Sequence, residues 1–93
     1  MNKHLKNLLN YLDQLRYLNK SFCVGISAIG GLDTVIDNFT FFDYLFTADS
    51  ISLKSLKTDN DITFQIDQIK NFTSDAEGFC IDCQNYELNF DLI

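Results

Sequence analysis

Leucine stands at positions 5, 8, 9, 12, 15 and 18, and this stripe limits what the rest of the chain can do. At about 100° per residue, Leu5, Leu8, Leu9, Leu12 and Leu15 share one arc, widened by Met1, Tyr11 and Leu18. Lys3, Lys6, Asn10, Asp13 and Gln14 lie opposite. The spacing predicts one amphipathic helix over about residues 2–19. It should stop at Asn19-Lys20-Ser21, where short polar side chains compete for helical backbone bonds. Such a helix reaches roughly 27 Å at about 1.5 Å per residue. Each leucine it buries stabilises by about 1.5–3 kcal/mol. Alone in water it is marginal, so the stripe needs a surface to cover it.

A coiled-coil seam is one way to supply that surface, since Leu5, Leu8, Leu12 and Leu15 fit a and d positions. Only two heptads precede polar Asn19, however, fewer than a stable seam requires. Docking on a sheet made by the rest of the same chain is the better expectation. Arg16 falls inside the apolar arc and Tyr17 on the polar side, and the pattern explains neither. A long arginine stem lying on apolar surface accounts for the first, and ordinary surface scatter of aromatics for the second.

Beyond the helix the pattern changes to strand. Residues 21–29 are rich in β-branched and aromatic side chains and close on Gly30-Gly31. Residues 32–48 are ambiguous: Leu32, Ile36, Phe39, Phe42 and Phe46 recur at helical spacing, while the composition favours strand. The expectation is a short helical or looped lead-in followed by a strand near 41–47. Ile51 and Leu53 then alternate with Ser52 and Lys54, and Thr58-Asp59-Asn60-Asp61 supplies a turn. Ile62, Phe64 and Ile66 alternate with Thr63, Gln65 and Asp67, a half-buried strand. A phase slip before Ile69 predicts a bulge or bend. A second turn at Ser74-Asp75-Ala76-Glu77-Gly78 leads to Phe79 and Ile81, and then to the alternation of Tyr86, Leu88, Phe90 and Leu92. The predicted fold is α+β: an N-terminal helix packed on a five- or six-stranded antiparallel meander, curled toward a small SH3/Sm-like barrel. Asn-Phe-Thr occurs at 38–40 and 71–73, but the flanks differ and no repeat follows.

At 93 residues, 46% of them apolar and 14% aromatic, the chain has the length and composition of one globular domain spanning residues 1–93. No apolar run approaches the ~20 residues that cross a bilayer. Asn7, Asn10 and Asp13 interrupt any signal-peptide core after Lys3 and Lys6. Three cysteines, an odd number, fit a reducing compartment. A cytoplasmic location is expected, host cytoplasm if the chain is phage-encoded. Cys80 and Cys83 form C-x-x-C. Within a strand, residues three apart face opposite ways, and Cys23 and His4 supply no second paired spacing for zinc. Small buried hydrophobes is the simpler reading, so neither metal nor other cofactor is expected.

Charge is uneven along the chain. Lys3, Lys6, Arg16 and Lys20 against Asp13 give residues 1–20 a net +3. Lys54, Lys57 and Lys70 against ten aspartates and two glutamates give residues 21–93 a net −9. Direct binding to nucleic acid or an anionic membrane is disfavoured, and a basic partner surface is favoured. Catalysis has little support: His4 has no nucleophile or carboxylate placed near it by spacing, and Gly25, Gly30 and Gly31 make no phosphate loop. No catalytic residue is assigned.

Strand alternation instead collects carboxylates. Asp61 and Asp67 frame one strand, Asp82 lies on another, and Glu87 and Asp91 on the last. Neighbouring strands are about 4.8 Å apart and alternate residues about 6.6 Å, so these five can share one partner-binding face. The expectation is a non-catalytic antagonist that occupies the basic site of a nucleic-acid-binding protein. Anti-CRISPR-type phage inhibitors and immunity proteins work in this way. Two alternatives stand beside it: an acidic surface that only keeps the protein soluble, and a structural subunit that homo-oligomerises, as a homodimer for instance, through the leucine helix or a sheet edge.

Overall fold

In the computed structural model, which describes residues 3–28, 30–31, 33–56 and 61–93, the leucine stripe forms α1 (Lys3–Leu15). Leu5, Leu8, Leu12 and Leu15 are all buried, and Leu8 and Leu12 have no exposed surface. The helix stops four residues short of the expected end. Residues 16–19 form a turn, with Leu18 N–H on the Leu15 carbonyl and Asn19 at φ 47°. Asparagine tolerates this left-handed conformation, which turns the chain out of the helix and leaves Leu18 exposed. Met1 lies outside the described residues.

Seven strands follow: β1 (Ser21–Ala28), β2 (Asp33–Phe46), β3 (Ser50–Ser55), β4 (Ile62–Gln65), β5 (Ile69–Asp75), β6 (Gly78–Cys83) and β7 (Tyr86–Leu92). The expected five or six is corrected to seven among the described residues. The phase slip before Ile69 is a 3-10 turn, Ile66–Gln68, which divides what the alternation suggested was one strand into β4 and β5. Residues 32–48 hold no helix among those described. A single 14-residue strand replaces the expected lead-in.

The sheet order is β4-β3-β2-β1-β7-β6-β5, every pairing antiparallel. It is two meanders, β1 to β4 and β5 to β7, rather than one. The seam between them is the β1–β7 ladder, where Val24 meets Phe90 and Ile26 meets Leu88. β2 serves both neighbours: Asp33 to Thr40 pair with β1, and Phe41 to Phe46 with β3. At the hand-over Asn38 takes φ 59°. The 58–60 part of the expected Thr58–Asp61 turn lies outside the described residues.

The core sits between α1 and the inner face of the sheet. The ring of Phe79 stacks on that of Phe90, centroids 4.2 Å apart at 6°, and Phe22 meets both edge-on. Tyr11 brings α1 onto β5 and β6 through Phe72 and Phe79. Two residues further along the helix, the Tyr44 hydroxyl donates to the Asp13 carboxylate. Arg16 reaches Asp13 at 3.7 Å and Asp43 at 3.8 Å, donates to the Tyr17 hydroxyl and lies 5.1 Å from its ring centre. These contacts supply the account of Arg16 and Tyr17 that periodicity lacks: they fasten the end of the helix to β2.

Candidate acidic face

Side chains alternate along each strand, so the residues that point away from Phe22, Val24, Leu88 and Phe90 follow from the register. Ser27 stands opposite Asp33 on one side and Glu87 on the other, Glu87 opposite Asp82, and Asp82 opposite Asn71. Two residues along, Val35, Gly25, Asn89, Cys80 and Thr73 form a neutral middle row. Two further, Cys23 faces Asp91, Asp91 faces Gly78, and Gly78 faces Asp75. Asp37 completes that last row. The register slips between Phe22 and Val24, so the extra residue of β2 falls opposite Cys23, and the Cys23 thiol donates to Asp37 Oδ1 at 3.7 Å.

The outer face of β2-β1-β7-β6-β5 therefore carries two rows of carboxylates. Asp33, Glu87 and Asp82 make one, and Asp37, Asp91 and Asp75 the other. Four residues of extended chain, roughly 13 Å, separate the rows. Among the described residues the ion pairs are Arg16 with Asp13, Arg16 with Asp43, and Lys54 with Asp61, and none lies on this face. Lys70 lines a shallow hollow with Asp82 and Glu87 at one end but forms no ion pair there. Asn89 Nδ2 donates to Glu87 Oε1 at 3.0 Å, a neutral partner that leaves the charge in place.

Two thiols report the field on this face. Burial, and then the nearby charge and hydrogen bond of Glu87 and the charge of Asp82, push the Cys80 thiol up to about 11. Burial, the hydrogen bond to Asp37 and the charges of Asp37 and Asp91 raise Cys23 as well. Both thiols stay protonated at neutral pH, the opposite of an activated nucleophile. Cys83 of the C-x-x-C is buried on the inner face while Cys80 is on the outer, as strand alternation requires. Among the described residues no three of His, Cys, Asp and Glu gather as metal ligands, and no helix is long and apolar enough to cross a membrane.

Gly78 closes the floor between Asp91 and Asp75. A Cβ there would lie 1.8 Å from the Phe90 carbonyl oxygen, so only glycine lets β6 come this near to β7. The same glycine ends the hairpin turn: the Asp75 carboxylate accepts the backbone N–H groups of Glu77 and Gly78. Beside it is a cavity of about 170 Å³ between Asp75 and Asp91.

Of the five carboxylates expected to share a face, Asp82, Glu87 and Asp91 do so. Asp61 and Asp67 do not. Asp61 precedes β4, on the far side of the sheet order, and is neutralised by Lys54 at 2.6 Å. Asp67 sits exposed in the 3-10 turn. Asp33, Asp37 and Asp75 were missed. Asp75 was legible as a turn residue, but nothing in the spacing places Asp33 and Asp37 beside β7. No protein-family profile, curated protein or solved structure matches the chain.

Proposed function

We propose that the protein is a non-catalytic binding module whose acidic face occupies a basic, nucleic-acid-binding site on another protein. The observation that carries this reading is the pair of carboxylate rows with no cation bridged to them among the described residues. Like charges held this close repel one another, and a strand lattice fixes them in place only because the folded core holds the backbone. A partner with two lines of Lys or Arg would relieve that repulsion, and the long-range field would speed its arrival. A backbone of phosphates presents the same kind of surface, so a site built for nucleic acid is the matching one. An antagonist of this type, whether an anti-CRISPR-type phage inhibitor or an immunity protein, works in the cytoplasm, the host's if the chain is phage-encoded.

The test is a pair of charge reversals. Retention of a partner from the native host at low salt, with release at high salt, should fall at least tenfold for Glu87→Lys with Asp91→Lys. The same reversal at Asp61 and Asp67, off the face, should leave it nearly unchanged. Equal losses from the two pairs, or no salt-released partner at all, would refute the reading in favour of a surface that only confers solubility.

The competing assembly reading loses one of its two routes, because Leu5, Leu8, Leu12 and Leu15 are taken up by the chain's own core. We also propose that the sheet curls toward a small open barrel of the SH3/Sm kind, with its β4 and β5 edges near each other but unpaired. The support is that its two edge strands, β4 and β5, are consecutive in the chain and linked by the 3-10 turn.

A further inference from the structure

β5 ends the sheet. It pairs with β6 on one side only, and none of the backbone hydrogen bonds made outside the strand ladders involves it among the described residues. Lys70, Asn71, Thr73, Ser74 and Asp75 are all exposed, and α1, whose closest strand is β5, packs on the inner side of Phe72. Every second residue of such a strand turns its N–H and C=O outward, a ready template for another strand. Between this edge and α1 runs a groove of about 320 Å³ lined by Asn7, Asn10, Tyr11, Gln14, Phe72 and Ser74. Its lining is uncharged, which gives no anchor to a strongly charged partner.

We infer that β5 is the seam of a homodimer, in which two copies pair their β5 edges antiparallel and continue one sheet across both chains. The charge pattern of the strand selects this occupant. Lys70 lies near one end of β5 and Asp75 at the other, so the strand is its own electrostatic complement when reversed. A two-fold axis normal to the sheet must keep inner residues opposite inner residues, so it passes through a residue, and Phe72 and Thr73 are the choices that pair most of the strand. In both registers Lys70 of one copy falls within one residue of Asp75 of the other. A parallel, in-register pairing brings like charges together instead, which is how a lone edge lysine ordinarily discourages aggregation. On the inner side, the half-buried Phe72 and the amides of Asn7, Asn10 and Gln14 meet their counterparts. On the outer side, the two acidic faces become one surface.

This inference does not depend on the reading of the acidic face, and one set of measurements separates them. Sedimentation of the full chain over a range of concentrations should show a reversible monomer–dimer equilibrium. Amide hydrogen exchange should slow with concentration at the outward-facing N–H groups of β5 and not at those of β4. Ser74→Lys, which sets two like charges at the seam, and Lys70→Glu, which leaves only carboxylates at both ends, should each weaken the dimer about tenfold or more. Lys70 is exposed and lies at the register irregularity between Ile69 and Asn71, so its replacement leaves the core untouched if Ser74→Lys should fail to fold. Glu87→Lys with Asp91→Lys should leave the dimer in place while abolishing partner capture. A chain that stays monomeric to millimolar concentration, or a dimer indifferent to Lys70→Glu, overturns the inference and leaves the acidic face as it was.

Discussion

The two halves of the outer surface obey one alternation rule and end with different chemistry. On β3 and β4 the outward side chains satisfy one another: Lys54 holds Asp61 at 2.6 Å, and Ser52 and Thr63 share a hydroxyl hydrogen bond at 2.8 Å. On β2, β1, β7, β6 and β5 the carboxylates stand in rows, reached by neutral donors from Cys23 and Asn89 but by no ion pair among the described residues. The first half resembles any solvated sheet face, where opposite charges and hydroxyls pair across strands. The second keeps its repulsion. Folding gains nothing from leaving like charges beside one another, and the proposed binding role rests on that contrast.

The sharpest way to break the comparison is at the floor of the acidic half. Gly78→Ala should cost about 3 kcal/mol, because its Cβ would run into the Phe90 carbonyl and the backbone must move. Gly25→Ala in the neutral middle row meets nothing within 4 Å and should be tolerated. Chemical denaturation of the two variants checks both. Equal losses would mean that the close approach of β6 to β7 is not what requires glycine.

Alkaline titration probes the tie between α1 and β2. Burial and the hydrogen bond to Asp13 push the Tyr44 hydroxyl up to about 12. The unfolded chain releases that proton near 10, so between about pH 10 and 12 deprotonation favours unfolding. Stability from this group is therefore complete below pH 10 and lost as pH rises through 12. Tyr44→Phe should flatten the slope in that window and cost about 1 kcal/mol near neutral pH. An unchanged slope would refute the assignment.

A smaller effect reads the field of the acidic half directly. Asp82→Asn with Glu87→Gln should speed alkylation of Cys80 severalfold at pH 8.5 by lowering its pKa, although burial keeps it above that of a free thiol. The smallest effect belongs to the neutralised half. Lys54→Gln breaks a partly exposed pair and should cost less than about 1 kcal/mol in thermal unfolding.

How much of this was legible follows from where the strands keep their phase. In β7 and β6 nothing interrupts the alternation, so Asp82, Glu87 and Asp91 could be put on one face from spacing alone. The leucine stripe was equally plain. β2 misled because its inward residues are Ile36, Phe39, Phe41 and Tyr44, and the irregularities near Asn38 and Phe42 stretch a period of two to intervals of three. A bulged strand thus imitates a helix, and Asp33 and Asp37 were lost with it. Asp61 failed for another reason. Alternation fixes which side of its own strand a residue takes, whereas strand order decides which neighbours it meets, and no local pattern encodes the β1–β7 pairing.

That pairing has a consequence for how the molecule comes to exist. Each hairpin can zip from its own turn, but the central ladder joins residue 24 to residue 90 and must first close a loop that takes in more than two-thirds of the chain. Until it does, the two meanders are ribbons with one greasy side each and nothing to lay it against. Assembly of the sheet, burial of the leucines and creation of the charged lattice should then arrive together, in a single slow step.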